Sequence, residues 1–306
     1  MLAGGVGAAR FLRGLRSLLD PRRLTIIVNT ADDETFFGLY VSPDVDTVIY
    51  TLADVVDPRQ GWGVRGDSFR GLEALGRFYE ATWFRLGDVD LATHIFRTAA
   101  LRSGQTLTAV TAQIARAHGV RATLLPMSDR PVRTFIDVAG RGRLAFQQYL
   151  VRYRARGRVR RIILHGAKTA PPTAHVLRAL RRADSIIIPP SNPLVSIGPI
   201  LALPGVRPIL RRRRTRVAAI SPIVAGAPIK GPLHRMLKGL GREVSPVGVA
   251  KLYRDVASIF VVDRRDAALA PRIAELGMRP VITDTLMTDT AKAVRLARTM
   301  LTALEP

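Results

Sequence analysis

Cysteine is absent from the 306-residue chain, which excludes disulfides and thiolate metal sites and leaves oxygen or imidazole to hold any metal. Long apolar runs are missing too. The longest, Leu194–Val206, is broken by Pro199 and Pro204 and falls short of the roughly 18–20 residues that a membrane helix needs. No basic-then-apolar signal pattern opens the chain, because Gly4, Gly5 and Gly7 interrupt it at once. These absences point to a cytoplasmic protein with no membrane partner. Asparagine occurs only twice, at Asn29 and Asn192, each closing an apolar run, where its amide meets a ligand or simply makes a turn. Lysine stands at only five positions, so the basic residues are nearly all arginine.

Against these shortages stand a hydrophobic content of 47%, enough for a well-buried core, and a net charge of +23. Such a charge suits nucleic acid or another polyanion. The arginines are nevertheless spread along the chain, with one true run at Arg211–Arg214. That dispersion argues for a solvated surface plus a pool of anion-binding residues, and against a dedicated nucleic-acid partner.

Apolar, β-branched segments alternate with amphipathic ones. Strands are expected at the start of the chain and at 24–29, 121–125, 134–138, 144–146, 161–164, 185–188, 217–220, 259–262 and near Val281. Helices are expected at 8–19, 42–55, 173–183, 233–240, 249–257 and 289–304, the second with Ser42 as N-cap and Pro43 at its first position. The pattern is that of a single α/β domain spanning 1–306, Rossmann-like and doubly wound, with a mostly parallel sheet. A largely helical insertion is expected over roughly 68–155.

In such sheets ligands bind beyond the carboxyl ends of the strands. The Gly4–Gly7 turn follows the first strand and opens a helix, which lets backbone N–H groups approach a phosphate. It is neither a P-loop nor a full dinucleotide fingerprint, since Arg10 stands where a third glycine would be. Asp32, Asp33 and Glu34 after the second strand, with Asp44 and Asp46 at the next helix start, gather carboxylates of the kind that Mg²⁺ takes. Asp44 is also explained by a helix N-terminus alone. A second acidic pair, Asp88 and Asp90, precedes Thr93 and His94, with either aspartate a possible cap. Ser191-Asn192, Ser221 and Asp284-Thr285 follow later strands, and each is either a ligand loop or an ordinary turn.

These segments together resemble the 2-phospho-L-lactate transferase family of coenzyme F420 biosynthesis. The stretches that carry the resemblance are LAGGVGAARFLRGL from Leu2, VNTADDE from Val28, SPDVDTVIYTL from Ser42, DPRQGWG from Asp57, LGDVDLATH from Leu86, LLPMSD from Leu124, PPSNPLVSIGPILALPG from Pro189, SPIVAGAPIKGP from Ser221 and DTLMTD from Asp284. They run end to end in consistent order. The resemblance implies a homodimeric, Mg²⁺-dependent transferase that moves 2-phospho-L-lactate or phosphoenolpyruvate from a guanosine diphosphate-linked donor to the ribityl hydroxyl of the deazaflavin Fo. The products would be F420-0 or its dehydro form, and GMP.

By motif position, Gly4, Gly5, Gly7, Ser191 and Asn192 are expected around the donor, and Asn29, Ser128, Ser221 and Thr285 are expected as further substrate-binding residues. Thr93 and His94 are expected beside the deazaflavin. Asp46 and Asp33 are expected as the catalytic pair and metal ligands, with Asp32 in contact with substrate. Two departures stand out. Val89 occupies a place where the family usually has a basic residue, and Arg130 a place where many members carry aspartate. The rival readings are a non-catalytic nucleotide-sugar-binding regulator of the related gluconeogenesis-factor branch and a nucleic-acid binder. The DVDT and GDVDLATH segments speak against the first, and only the charge favours the second.

Overall fold

The computed structural model of the chain describes residues 1–305. Its frame is two sets of parallel strands. In the first, β1 (Leu2–Ala3) pairs with β2 (Thr25–Val28), which pairs in turn with β5 (Thr123–Pro126). In the second, β9 (Ile186–Ile188), β10 (Val217–Ile220), β13 (Ile259–Asp263) and β14 (Arg279–Thr283) follow one another in space as in sequence. The two sets meet where β1 lies beside β9. Chain order therefore runs outward in both directions from that seam, which is the switch point of a doubly wound sheet.

The strands inside the edge strand β14 are short and almost wholly apolar because both faces are covered. On one face Ile26, Val28, Ile187, Ala218, Ile220 and Val261 pack against helices α1 (Gly5–Leu15), α2 (Pro43–Leu52), α5 (Leu107–Ala117) and α12 (Thr290–Leu304). On the other, Ile27, Ile186, Ile188, Ala219, Phe260 and Val262 meet α6 (Ala174–Arg182), α8 (Val206–Arg212), α10 (Pro246–Tyr253) and their neighbours. Adjacent residues of one strand thus feed different cores, as the two-residue repeat of a strand requires.

The stretch 68–155 is not one helical insertion. Its first part holds α3 (Arg70–Leu75), α4 (Asp88–Arg102) and α5, but β5 then returns to the main sheet. Beyond it β6 (Arg133–Val138), β7 (Gly142–Ala145) and β8 (Val159–His165) form a separate antiparallel sheet with a small core of its own. Alternation of buried and half-buried residues along β6 is what separates this sheet from the fully buried strands of the main one.

One element lies where only a loop is expected. Residues 34–41 form a hairpin, β3 (Glu34–Phe36) with β4 (Leu39–Val41). Its turn is Phe37-Gly38, both with positive φ (52° and 77°). Such a tight turn normally announces itself as Asn-Gly or Asp-Gly, and phenylalanine gives no such cue.

Candidate active site

The seam between β1 and β9 opens, at the carboxyl ends of the strands, into a cavity of about 540 Å³. Gly4, Gly5 and Gly7 line one side of it, and Pro190, Ser191 and Asn192 the side opposite. The two sides touch. Ser191 Oγ donates to the Gly4 carbonyl at 2.7 Å, and a Cβ on Gly7 would collide with the Pro190 carbonyl oxygen. At Gly4 a Cβ would stand 2.8 Å from Ser196 Cβ. Two of these glycines therefore serve close packing across the seam, and Gly5, with φ at +70°, serves the turn itself. The Gly5 N–H is already taken, donating to Asp44 Oδ1 at 2.7 Å. Asp44 thus caps α1 rather than its own helix, steadied by Asn29 Nδ2 at 2.9 Å from its other oxygen.

Four carboxylates line the cavity: Asp32, Asp44, Asp46 and Asp90. Asp32 Oδ1 is buried with no hydrogen-bond partner. Burial, then the charges of Asp44 and Asp33, push the Asp32 carboxyl well above the usual range. Asp46 is held instead. Both of its oxygens receive donors from the guanidinium of Arg97, which is fully buried on α4, with Nη1 to Oδ2 at 3.0 Å. His94 Nδ1 lies 3.3 Å from the same Arg97 nitrogen, and His94 Nε2 lies 3.4 Å from Asp90 Oδ2. Tyr50 completes the group by donating to Asp90 Oδ1 at 2.6 Å. Burial alone would raise the Asp90 carboxyl, yet His94, Tyr50 and Arg97 outweigh it and hold it below the ordinary value. Asp90, His94 and Arg97 come to one place because positions i, i+4 and i+7 share a helix face.

Asp33 is the main correction to the expected metal pair. Its carboxylate accepts from Ser42 Oγ at 2.8 Å and Tyr40 Oη at 2.9 Å, so both oxygens are occupied within the fold. Burial pushes its carboxyl up to about 8, against those two hydrogen bonds. Asp33 does not line the main cavity; Asp32, its neighbour, does. The reason is a turn: Ala31 and Asp32 lie in it, closed by the Asp33 N–H on the Thr30 carbonyl at 3.3 Å, so Asp32 stays at the cavity while Asp33 leads into β3 and is tied to Ser42 and Tyr40. Ser42 stands at the N-cap position of α2, but its hydroxyl is spent on Asp33 and makes no cap.

Other expected site residues divide in the same way. His94, Ser191 and Asn192 line the cavity. Asn29 lies behind it, bridging Asp44 and the Val195 carbonyl. Thr93 sits beneath, its hydroxyl donating to Tyr50 Oη at 3.0 Å. Ser128 is outside, bonded to the Pro171 carbonyl, and Ser221 closes its own turn with both backbone groups of Ile223. Thr285 is buried against Asp263, and it is the next three residues, Leu286 to Thr288, that reach the cavity. The cap of α4 is neither Asp88 nor Asp90 but Asp67, which accepts from the Val89 and Asp90 amides. Asp88 receives the amides at the start of α3. Val89 is solvent-exposed and lies outside the cavity.

Sequence reasoning missed Arg97, although its spacing from Asp90 and His94 was readable, and it missed the aromatic wall. Trp62, Trp83, Phe84, Tyr50 and Phe146 line the cavity, and Phe84 stacks on Phe36 at 3.9 Å with Trp83 edge-on. Arg85 also lines it, placed over the Phe69 ring at 4.0 Å.

The geometry suits an anionic substrate and a hard cation. Asp32 carries an unpartnered buried oxygen amid other carboxylates, and such a site is relieved by a divalent ion with oxygen ligands. Asp46, Asp90 and His94 offer ligand atoms within 4.8 Å of one another, though an imidazole in the set is less suited to Mg²⁺. Among the described residues no helix is long and apolar enough to cross a membrane.

Comparison with known proteins places this architecture. The family model described as 2-phospho-L-lactate transferase CofD matches residues 1–301. A 2-phospho-L-lactate transferase of Methanosarcina mazei is 39% identical over 303 residues, covering 99% of each chain. A phosphoenolpyruvate transferase of Streptomyces griseus is 40% identical over 310 residues, covering 100% of this chain and 98% of the relative. A crystallised UPF0052 protein from Bacillus halodurans superposes with a TM-score of 0.66 at 16% identity, covering 98% of this chain and 97% of its own, a likeness of fold. With a whole-length family match and relatives of this identity, the chain belongs to the 2-phospho-L-lactate transferase family.

Proposed function

We propose that the protein transfers a phospho-carboxylic acid, 2-phospho-L-lactate or phosphoenolpyruvate, from its guanosine diphosphate-linked donor to the ribityl hydroxyl of the deazaflavin Fo, releasing GMP. The observation that carries this reading is the joining of two unlike surfaces in one cavity. Carboxylates of Asp32, Asp44, Asp46 and Asp90 stand on one side, and Trp62, Trp83 and Phe84 form an apolar aromatic wall. The aromatic wall suits a planar ring system, and the carboxylates suit a diphosphate that arrives with Mg²⁺. The names of the relatives support both candidate acids.

Asp32 and Asp46 are the residues that would hold Mg²⁺, in place of the Asp33–Asp46 pair. When bound, the ion supplies neutralisation of charge growing on the GMP leaving group. The chain does the rest by positioning. Asp46, unlike Asp33, lines the cavity; Arg97 holds its carboxylate in a fixed plane there, and the lone pairs that Arg97 leaves free are those that would meet the ion and take the acceptor hydroxyl's proton. The aromatic wall excludes water from the attacking group and so favours transfer over hydrolysis. Arg85, on the cavity wall, supplies a cation that Val89 does not. Activity as a cytoplasmic homodimer belongs to the same reading.

The test is direct. The protein is incubated with Fo, Mg²⁺ and each of the lactyl and enolpyruvyl donors, and the products are weighed by mass spectrometry. A product carrying one phospho-acid unit on Fo, with GMP released, is the expected result. Failure with both donors in the presence of Mg²⁺ would overturn the reading.

A further inference from the structure

A diphosphate needs cations, and the glycine turn supplies none. The first helical amide at that turn, Gly5 N–H, is occupied by the Asp44 carboxylate at 2.7 Å, and the neighbouring cavity wall is acidic. The phosphates must therefore be met elsewhere.

Besides His94, three cationic side chains line the cavity: Arg10, Arg85 and Lys230. Arg85 stands over the Phe69 ring and belongs with Trp83 and Phe84 to the aromatic wall, away from the glycine turn. Arg10 and Lys230 are not committed to any carboxylate among the described residues. Arg10 projects from α1, one turn beyond Val6, and is half-buried. Lys230 comes from a distant stretch of chain, the loop between the short strand β12 (Ala227–Pro228) and α9 (Leu233–Gly239). Its ammonium donates to the Gln60 carbonyl at 2.8 Å, and the loop is pinned by Ile229 N–H on the Pro222 carbonyl at 3.0 Å. Residues 60 and 61 pack on the first turn of α1, where a Cβ on Gly61 would stand 2.6 Å from Val6 Cγ1, so the ammonium held at the Gln60 carbonyl shares with Arg10 the same edge of the cavity. Burial first, then the charge of Arg10, lower the Lys230 ammonium below its usual value. Like charges held together without a counter-ion at the edge of a cavity form a place that an anion stabilises.

We infer that Arg10 and Lys230 form a two-cation clamp at one edge of the cavity that holds the diphosphate of a nucleoside diphosphate. This rests on the proposed function for the nucleoside, though not for the phosphates. The clamp divides the labour in the cavity. The carboxylates face the metal side of the diphosphate, and the cations neutralise the side turned toward solvent. It also gives Arg10 a role at the place where a dinucleotide fingerprint would have its third glycine, since that site is needed here for charge and not for close packing.

The test uses the full-length protein and calorimetric binding of GDP, guanosine and inorganic pyrophosphate in the presence of Mg²⁺. Arg10→Gln and Lys230→Gln should each weaken GDP and pyrophosphate by about tenfold or more, as loss of a charge-assisted contact does, and leave guanosine unchanged. Arg10→Lys and Lys230→Arg should recover most of the loss, which a merely structural role would not predict. Unaltered melting temperatures would show that both residues act on the ligand and not on the fold. If the unsubstituted chain binds pyrophosphate but not GDP, and the Gln variants lose it, the clamp stands and the guanosine reading falls. If GDP and pyrophosphate bind the Gln variants within about twofold of the unsubstituted chain, or do not bind that chain at all, the clamp is overturned.

Discussion

Neighbouring aspartates in this chain have different fates, and the difference is a matter of direction and company. Asp32 faces the cavity with an oxygen free of donors, whereas Asp33 is turned inward onto Ser42 and Tyr40. Asp32→Asn is therefore expected to raise the Mg²⁺ concentration needed for half-maximal transfer by about tenfold or more, with little loss of stability. Asp33→Asn should leave that requirement nearly unchanged and lower stability by about 1–3 kcal/mol, because one of its two buried acceptor oxygens becomes an amide donor facing a hydroxyl donor. Mg²⁺ titrations of activity beside urea melts separate the two; equal shifts in Mg²⁺ requirement would restore Asp33 to the metal site. Asp46 is less simple to probe. Deleting its carboxylate strands the buried Arg97, at a cost of about 3–5 kcal/mol, so Asp46→Asn is a safer test of chemistry than truncation to alanine.

At the scale of elements, the site depends on how closely α1 approaches the loop after β9. Gly7 packs its backbone directly on the Pro190 carbonyl, and Gly14 meets the Ala293 carbonyl of α12 in the same manner. Gly7→Ala is expected to force α1 away from residues 189–192 and to destabilise the fold by about 1–3 kcal/mol. Because Ser191 Oγ holds the Gly4 carbonyl across the same seam, GDP binding should fall with it. Urea midpoints and calorimetry would check both effects, and an unchanged midpoint would mean that the seam relaxes freely. Arg97, Asp90 and His94 illustrate the same dependence from another side. They stand together only because α4 is helical from its first turn, secured by Asp67 on the Val89 and Asp90 amides.

For the molecule as a whole, a charge of +23 makes acid the natural enemy of the fold. Asp255 joins α8 to the end of α10 through Arg207, with the closest pair at 2.6 Å, and Arg211 at 2.9 Å. The Arg207 hydrogen bond first, and then Arg211, hold its carboxyl at about 2 against an ordinary 3.8. A depressed carboxyl contributes stability that is complete above the unfolded value and is lost as the pH falls through the folded one. The pair should therefore contribute about 1 kcal/mol above roughly pH 4, and this should vanish toward pH 2, since the group is partly exposed and screened. Urea unfolding across that window, with Asp255→Asn as reference, would show it; a variant whose acid profile matches the unsubstituted chain would refute it.

Much of the architecture was legible before any coordinates. The main-sheet strands β2, β5, β9, β10 and β13 fall on apolar runs, because a strand buried on both faces has no other composition open to it, whereas the edge strand β14, Arg-Pro-Val-Ile-Thr, is half-exposed and less plainly marked. Motifs such as GDVDLATH and PPSNPLVSIGP pointed to the family that the comparisons then showed. What local pattern could not convey was pairing. That β5 belongs to the main sheet, that residues 133–165 build a separate one, and that 34–41 fold back as a hairpin all depend on contacts between distant segments. Residue types alone determined a doubly wound α/β protein with acidic loops at its strand ends. Only the tertiary structure decided which aspartate of a pair faces the cavity, that Arg97 locks Asp46, and that Arg10 and Lys230 line one cavity without a carboxylate partner among the described residues, because orientation and neighbours are properties of packing and not of composition.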